Sequence, residues 1–199
     1  MKITLVGATP RFAGGFATWA VTAGHDITVV GPSRGQGEAF VEQLGSGKPA
    51  GRTDRLQTEI VFSALPYVCL VDVWQSYGEE LDGKVLVDLS LPVDFVGRRV
   101  HLLAGSALEE LALARPRVRV VKAFHPKFAG PGAKQSASSE REVLLAADDA
   151  TAKGMVAQVF ETGGLHAVDF GPLRRARELD ALGFSAPSAS IAAQHGGRS

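Results

Sequence analysis

The chain has 199 residues, of which 45% are hydrophobic, and its 21 basic side chains balance its 21 acidic ones. This length and apolar content suit one good-sized core, so we predict a single domain. The balanced charge excludes recognition of nucleic acid or of an anionic membrane by a bulk electrostatic field.

The cysteine count and the N-terminus predict a cytoplasmic protein. Cys69 is the only cysteine, which excludes an internal disulfide framework and a thiolate cluster for a metal, and fits a reducing compartment. The opening MKITLVGATP has too short an apolar run for a signal peptide, and nowhere do about 18 apolar residues follow one another. The histidines lack ligand spacing, so we predict no metal site. From the balanced charge and the short apolar runs we also predict no membrane or nucleic-acid partner.

Short runs rich in Val, Ile and Leu alternate with longer segments of helical period, an order that predicts βαβ units on a parallel sheet. In chain order, the predicted strands are Ile3–Val6, Ile27–Val30, Ile60–Ala64, Val85–Leu89, Val118–Lys122, Val143–Ala146 and Ala167–Asp169. The predicted helices are Gly14–Ala23, Gly35–Leu44, Tyr67–Tyr77, Ala107–Leu113, Thr151–Glu161 and Leu173–Leu182.

These elements predict an α/β fold, with a doubly wound parallel Rossmann sheet. Nearly all of the strands are apolar on both faces, as expected for a sheet covered by helices on both sides. We place a single domain at residues 1–182, ending in a short C-terminal helix. Residues 183–199 are small, polar and rich in Gly and Ser, so we predict a flexible tail or an oligomer contact.

The turn after the first predicted strand has the context of a dinucleotide fingerprint, because MKITLV leads into GATPRFAGG and then a helix. Gly7 supplies the first glycine, Pro10 stands where a second glycine is usual, and Ala13 takes the third position. Pro10 removes an N–H donor and adds a ring, whereas Arg11 offers a charged donor that offsets part of the loss. We predict that a pyrophosphate lies over Gly7–Phe12, contacting the backbone or side chains of Gly7, Thr9, Pro10, Arg11 and Phe12. The alternative is a purely structural turn inherited from a binding ancestor.

The second predicted strand ends in ITVVGPSRG, which bears on the choice between NAD and NADP. A carboxylate here would accept from the ribose hydroxyls of NAD and repel a 2′-phosphate. Ser33 and Arg34 instead offer a hydroxyl and a guanidinium to that phosphate, so NADP is the predicted cofactor. The alternative is that this segment is only a polar turn.

Five stretches resemble the NADPH-dependent deazaflavin (coenzyme F-four-twenty) reductases and their ferric-reductase relatives, which are small Rossmann proteins. They are GATPRFAGGFATWAVTAGHDI, FSALPY, LDGKVLVDLSLP, GSALEELALARPRVRVVKAF and the closing HAVDFGPLRRARELDAL, and together they cover roughly residues 1–182. The resemblance implies that the Leu65–Pro66 turn lies against the cofactor. It also implies that the loop after Lys122–Ala123–Phe124 borders the nicotinamide, which makes Ala123 a predicted cofactor contact.

The segment after this last strand departs from that family, which usually continues with an Asn-Thr pair where this chain has His125–Pro126. His-Pro followed by Phe and Gly is similar instead to the catalytic stretch of prephenate and arogenate dehydrogenases, where the histidine bonds a ring hydroxyl during hydride transfer. We predict that His125 exchanges a proton with the substrate, since an imidazole titrates near neutral pH. Lys127 is a second catalytic candidate that would meet a substrate carboxylate. The alternatives are a loop histidine bonded to a carbonyl and a solvated lysine.

Together these features predict an NADP(H)-dependent oxidoreductase, a homodimer that transfers hydride to or from a small organic substrate. One alternative keeps the deazaflavin chemistry, which needs no protein acid because both rings carry the reaction. Another is a cofactor-free isomerase, cyclase, lyase or binding protein built on a degenerate scaffold. Ser90, at the end of the fourth predicted strand, is a further candidate donor into the crevice.

Overall fold

An eight-stranded sheet forms the centre of the structure, a computed structural model that describes residues 1–7, 9–65, 69–90, 93–96, 99–102, 107–128 and 141–182. In chain order, the strands of the whole described structure are β1 (Lys2–Val6), β2 (Asp26–Val30), β3 (Lys48–Ala50), β4 (Ile60–Ser63), β5 (Val85–Asp88), β6 (Val93–Val96), β7 (Arg99–Leu102), β8 (Arg119–Phe124), β9 (Glu142–Ala146) and β10 (His166–Gly171). Strands β6 and β7 pair only with each other, as an antiparallel ribbon.

The strand order across the sheet is β3-β2-β1-β4-β5-β8-β9-β10. The first six strands are parallel and repeat the order of two mononucleotide-binding halves, with the reversal between β1 and β4. This arrangement confirms the doubly wound Rossmann fold. Strand β9 runs antiparallel to β8, and β10 is parallel to β9, so the last two strands depart from the fully parallel sheet that was predicted.

The helices cover both faces of this sheet. They are α1 (Pro10–Thr22), α2 (Arg34–Leu44), α3 (Leu70–Tyr77), α4 (Ala107–Ala114), α5 (Ala150–Thr162) and α6 (residues 176–182), with short 3-10 helices at Gly78–Leu81, Pro126–Phe128 and Leu173–Arg175. Each predicted helix is present, but α1 begins four residues earlier than predicted. Within the described part of the chain, none of the helices combines the length and the apolar character needed to cross a bilayer.

An aromatic cluster fills the core between the sheet and the helices α1 and α5. Its members are Phe16, Trp19, Phe62, Phe128 and Phe160, whose ring centroids lie 4.4 to 6.4 Å apart in the contacting pairs. The opposite face of the sheet packs against α3 and α4, through residues such as Leu70, Trp74 and Leu108. Because both faces are covered, ligands have access mainly at the edges of the sheet where the strands end.

Candidate functional site

The carboxyl edge at the β1–β4 boundary carries the first predicted binding residue, Gly7. Its backbone has φ +97°, a conformation that favours glycine. A Cβ placed there would lie 2.7 Å from the carbonyl oxygen of Ala64 and 2.7 Å from Cδ2 of Leu65. The position therefore requires glycine, and the turn after β1 lies directly against the end of β4.

The N-terminus of α1 opens at this same boundary, which changes the interpretation of Pro10. Helix α1 begins at Pro10, with Thr9 as its N-cap in extended conformation. Proline suits the first helical position, because the N–H that it lacks would have no intrahelical partner there. The next backbone N–H groups of the turn, those of Arg11 and Phe12, keep their donors at the positive end of a 13-residue helix.

Thr9 contributes a further polar atom to this turn. Its Oγ1 is buried and has no hydrogen-bond partner among the described residues, and it makes no side-chain cap to the helix. Burying a hydroxyl without a partner costs free energy, and a hydrogen bond to an anion at the helix N-terminus would remove that cost. The side chains of Pro10, Arg11 and Phe12 lie outside the described part of the structure.

The second predicted phosphate contact lies at the N-terminus of α2. Ser33 is the N-cap of that helix, and its Oγ accepts from the backbone N–H of Gln36 at 3.3 Å. Arg34 is the first helical residue, and its side chain is 59% exposed. Its Nη2 donates to Oδ2 of Asp54 at 2.7 Å, while the same oxygen accepts from the backbone N–H of Gly51 at 2.8 Å. The guanidinium is thus held in place through Nη2, and its other donors have no partner among the residues that the structure describes.

The remaining predicted cofactor contacts divide between two places. Leu65 is half-buried and packs over Gly7, as its place beside the turn implies. Pro66 lies outside the described residues. Ala123 is 2% exposed and belongs to the core cluster on the α1 and α5 face, so its side chain is part of the packing beneath the edge.

His125 lies directly after β8, at the carboxyl edge as predicted. The residue is 1% exposed, and its ring lies against Phe128 with centroids 4.6 Å apart. Phe128 in turn belongs to the aromatic cluster, so the imidazole is an extension of that cluster at the end of the strand. Lys127 lies in the 3-10 helix Pro126–Phe128, and its side chain is outside the described part of the structure.

A buried ionic cluster that was not predicted from the sequence lies at the carboxyl ends of β5 and β8. The ammonium of Lys122 lies 2.9 Å from Oδ2 of Asp88 and 2.8 Å from Oδ1 of Asp180, and it also donates to the carbonyl oxygen of Ser90. The side chains of Lys122 and Asp88 are each 1% exposed, and that of Asp180 is 7% exposed. We call these four residues the Lys122 cluster.

Burial and neighbouring charges act against each other on the pKa values of Lys122 and Asp180. Burial by itself would lower the pKa of Lys122, but the carboxylates of Asp88 and Asp180 outweigh it and hold that pKa above its ordinary value. Burial raises the pKa of Asp180, against the attraction of Lys122, and the neighbouring Asp88 carboxylate adds to the rise. With all three groups ionised the cluster has one excess negative charge, which acts on the pKa of Asp180 in the same direction as its burial.

Ser90 is fixed by this cluster instead of facing the crevice with a free hydroxyl. Its backbone N–H donates to Oδ1 of Asp88 at 3.1 Å, and its Oγ donates to Oδ2 of the same residue at 3.1 Å. The candidate role of Ser90 as a donor into the crevice is therefore replaced by an internal one. The signal available in the sequence was the presence of a lysine and an aspartate at the ends of otherwise apolar strands, VVK and VLVD.

No group of His, Cys, Asp and Glu side chains suited to hold a metal ion occurs in the part of the chain that the structure describes. The candidate site at the carboxyl edge of the sheet consists of two helix N-termini, a glycine that admits no side chain, an exposed arginine and a buried histidine. Such an arrangement is suited to bind phosphates and a flat ring.

Comparison with known proteins identifies reductases as similar in sequence. The chain is 29% identical over 188 residues to the metalloreductase STEAP3 of Rattus norvegicus, a match that covers 91% of this chain and 36% of that protein. It is 26% identical over 200 residues to the F420-dependent NADP reductase of Methanothermobacter marburgensis, covering 92% of this chain and 89% of the relative. This chain thus spans about a third of the metalloreductase. No protein-family model matches it.

The fold is also that of known reductases. An imine reductase from Myxococcus stipitatus, solved in complex with NADP+, superposes with a TM-score of 0.67 at 18% identity. The superposition covers 98% of this chain and 63% of that protein. At this identity the likeness establishes the fold, an α/β Rossmann domain, and leaves the activity to be argued from the site.

Proposed function

We propose that this chain is an NADP(H)-dependent oxidoreductase. The observation that carries the proposal is the turn at the β1–β4 boundary, where the N-terminus of α1 opens behind a glycine that admits no Cβ. A ligand pyrophosphate is the group that such a turn accommodates, because it needs close backbone approach and a positive helix end. The sequence likeness to an NADP reductase and to a metalloreductase supports the same class.

In this proposal the residues after Gly7 hold the pyrophosphate. The backbone N–H groups of Arg11 and Phe12 donate to its oxygens, and the hydroxyl of Thr9, which has no partner among the described residues, adds a donor. Pro10 sets the start of the helix and is compatible with binding, since its place at the first helical position costs no hydrogen bond. The main reason for preferring a cofactor-free function, the proline in the turn, is thereby weakened.

The N-terminus of α2 is proposed to select NADP(H) over NAD(H). The first turn of α2 contains no acidic residue, so a 2′-phosphate meets the positive end of the helix without repulsion from it. Ser33 and Arg34 supply a hydroxyl and a guanidinium. Asp54 holds the guanidinium through one of its five donors, with the same oxygen that accepts from the N–H of Gly51. The bound dinucleotide would supply a hydride at its nicotinamide ring.

The proton partner in this proposal is His125, and Lys127 is the candidate for a substrate carboxylate. His125 directly follows β8, at the edge where the nicotinamide half of a Rossmann ligand lies. Its ring packs against Phe128 at an interplanar angle of 33°, which restricts the orientation of the imidazole. With 1% exposure the imidazole is screened from bulk water, so this proposal requires a bound substrate to reach the ring at the end of β8.

A second candidate is hydride exchange between NADPH and a deazaflavin, which requires no protein acid. Two observations favour it: the burial of His125 and the likeness to the F420-dependent reductase over 89% of that protein's length. A mixture of enzyme, NADPH and oxidised deazaflavin distinguishes the candidates, because loss of the deazaflavin absorbance would support this one. Turnover unchanged in a His125→Ala variant would remove the imidazole from either mechanism.

The test of the general proposal is a fluorescence titration of wild type and two arginine variants with NADPH and NADH. Arg34→Ala should weaken NADPH by roughly tenfold or more, the loss expected for one charged hydrogen bond, and leave NADH unchanged. Arg117→Ala is the matched control, since that arginine is 81% exposed and lies before β8, at the opposite edge of the sheet. Absence of binding of either nucleotide to wild type would overturn the proposal.

A further inference from the structure

The Lys122 cluster joins three elements at one place on the carboxyl edge. Asp88 and Lys122 are register partners on the adjacent strands β5 and β8, and Asp180 comes from α6. Burying three charged groups is expensive, and a well-packed apolar set is often at least as stable. A cluster of this kind is therefore poorly explained as a means of increasing stability alone.

The cluster holds Ser90, just beyond β5, through its N–H, its hydroxyl and its carbonyl group. The N–H and hydroxyl of Ser90 both donate to the carboxylate of Asp88, and the Ser90 carbonyl accepts from Lys122. The preceding residue is tied as well, since the N–H of Leu89 donates to the Ser63 carbonyl at 2.9 Å. The backbone at the end of β5 is thus held on both sides, before the chain leaves the sheet.

This position belongs to the half of the sheet that faces the nicotinamide in a doubly wound fold. Strands β4, β5 and β8 make up that half, while β1, β2 and β3 make up the half that faces the adenosine. Ser63 lies in the same cross-strand row as Asp88 and Lys122. Its Oγ is buried and has no hydrogen-bond partner among the described residues. This half of the edge therefore has a hydroxyl that could still form a hydrogen bond, beside a backbone that is held in place.

We propose that Asp88, Lys122 and Asp180 are positioning residues for the nicotinamide half of the dinucleotide site, acting through the backbone at Ser90. The inference rests on the proposed function. Lys122 is the centre of this arrangement, because among the described residues it is the one that contacts both carboxylates and the Ser90 carbonyl. Asp180 connects α6 to the same point, so this helix contributes to the order of the nicotinamide half without contacting the ligand.

The test compares two ligands that share one half of the site. NADPH occupies both halves, whereas adenosine 2′,5′-bisphosphate carries only the adenosine half. Lys122→Met and Asp180→Asn should each weaken NADPH by roughly tenfold and leave the bisphosphate within about twofold of wild type. Asp180→Asn keeps the shape of the side chain and removes one buried charge, so it provides a variant that folds if Lys122→Met does not.

A control on the same helix separates positioning from general loosening of α6. Arg177→Met removes an exposed ion pair of 2.7 Å to Glu109 and should leave both affinities unchanged. Equal weakening of the two ligands in the Lys122 and Asp180 variants would overturn the inference, and so would no weakening of NADPH. Failure of wild type to bind NADPH and adenosine 2′,5′-bisphosphate alike would instead overturn the proposed function, and with it this inference.

Discussion

Replacing Lys122 by methionine should be among the most destabilising single changes in the chain. The ammonium is 1% exposed and neutralises Asp88 and Asp180 at 2.9 and 2.8 Å. Methionine fills most of the space but leaves two carboxylates buried together without a cation. Breaking a buried pair in this way costs about 3–5 kcal/mol. At about 2–4 °C per kcal/mol for a domain of this size, the midpoint of thermal unfolding should fall by roughly 6–20 °C.

A double-mutant cycle tests whether charge balance is the cause. Asp88→Asn alone should destabilise the protein, because it removes the main partner of Lys122. In the Lys122→Met background the same change should be neutral or stabilising, since it removes a carboxylate that has lost its counter-ion. Urea unfolding of the four proteins should give a coupling free energy of about 1–3 kcal/mol. Additive effects would refute the reasoning, and would assign the loss to packing alone.

Three other changes follow from local geometry and linkage. Gly7→Ala places a Cβ 2.7 Å from the Ala64 carbonyl oxygen, so urea unfolding should show a loss of at least about 1–2 kcal/mol, and the NADPH titration should show no binding. His25 is buried, with a pKa lowered below its ordinary 6.5 by burial and then by the N-terminal charge, against a hydrogen bond to Val159. The contribution of His25 to stability is therefore present above pH 6.5 and lost as the pH falls through the lowered pKa. In His25→Gln the unfolding free energy should vary less with pH over that range. The effect of pH on the contribution of Asp180 to stability has the opposite sign, because the pKa of this residue is raised. Wild type should therefore lose stability relative to Asp180→Asn as the pH rises above 3.8. A difference in unfolding free energy between the two proteins that stays constant with pH would contradict this.

Most of the sheet could be predicted because its strands are continuous apolar runs. A strand buried on both faces is recognised by consecutive apolar residues, as in β5, where three of them precede Asp88. The strands that were not predicted lack that signal. Lys48–Ala50 is three residues long and contains a proline, and it lies at the edge of the sheet. Val93–Val96 and Arg99–Leu102 mix polar and apolar residues and pair only with each other.

The candidate site was only partly predictable, because two of its features depend on where elements begin and how strands align. Pro10 indicated damage to the turn as long as α1 was expected to begin at Gly14. With the helix beginning at Pro10, the same residue is favourable. The Lys122 cluster depends on the register that brings Asp88 opposite Lys122 and on the return of α6 over both. Neither the register nor the return can be obtained from apolar periodicity.

The central claim is that the N-termini of α1 and α2 bind the phosphates of NADP(H). A crystal structure of the protein soaked with NADP+ tests it most directly. We expect the pyrophosphate against the backbone N–H groups after Thr9, and the 2′-phosphate within hydrogen-bond distance of Ser33 and Arg34. A nucleotide bound elsewhere, or an edge left unoccupied at a saturating concentration, would contradict the claim.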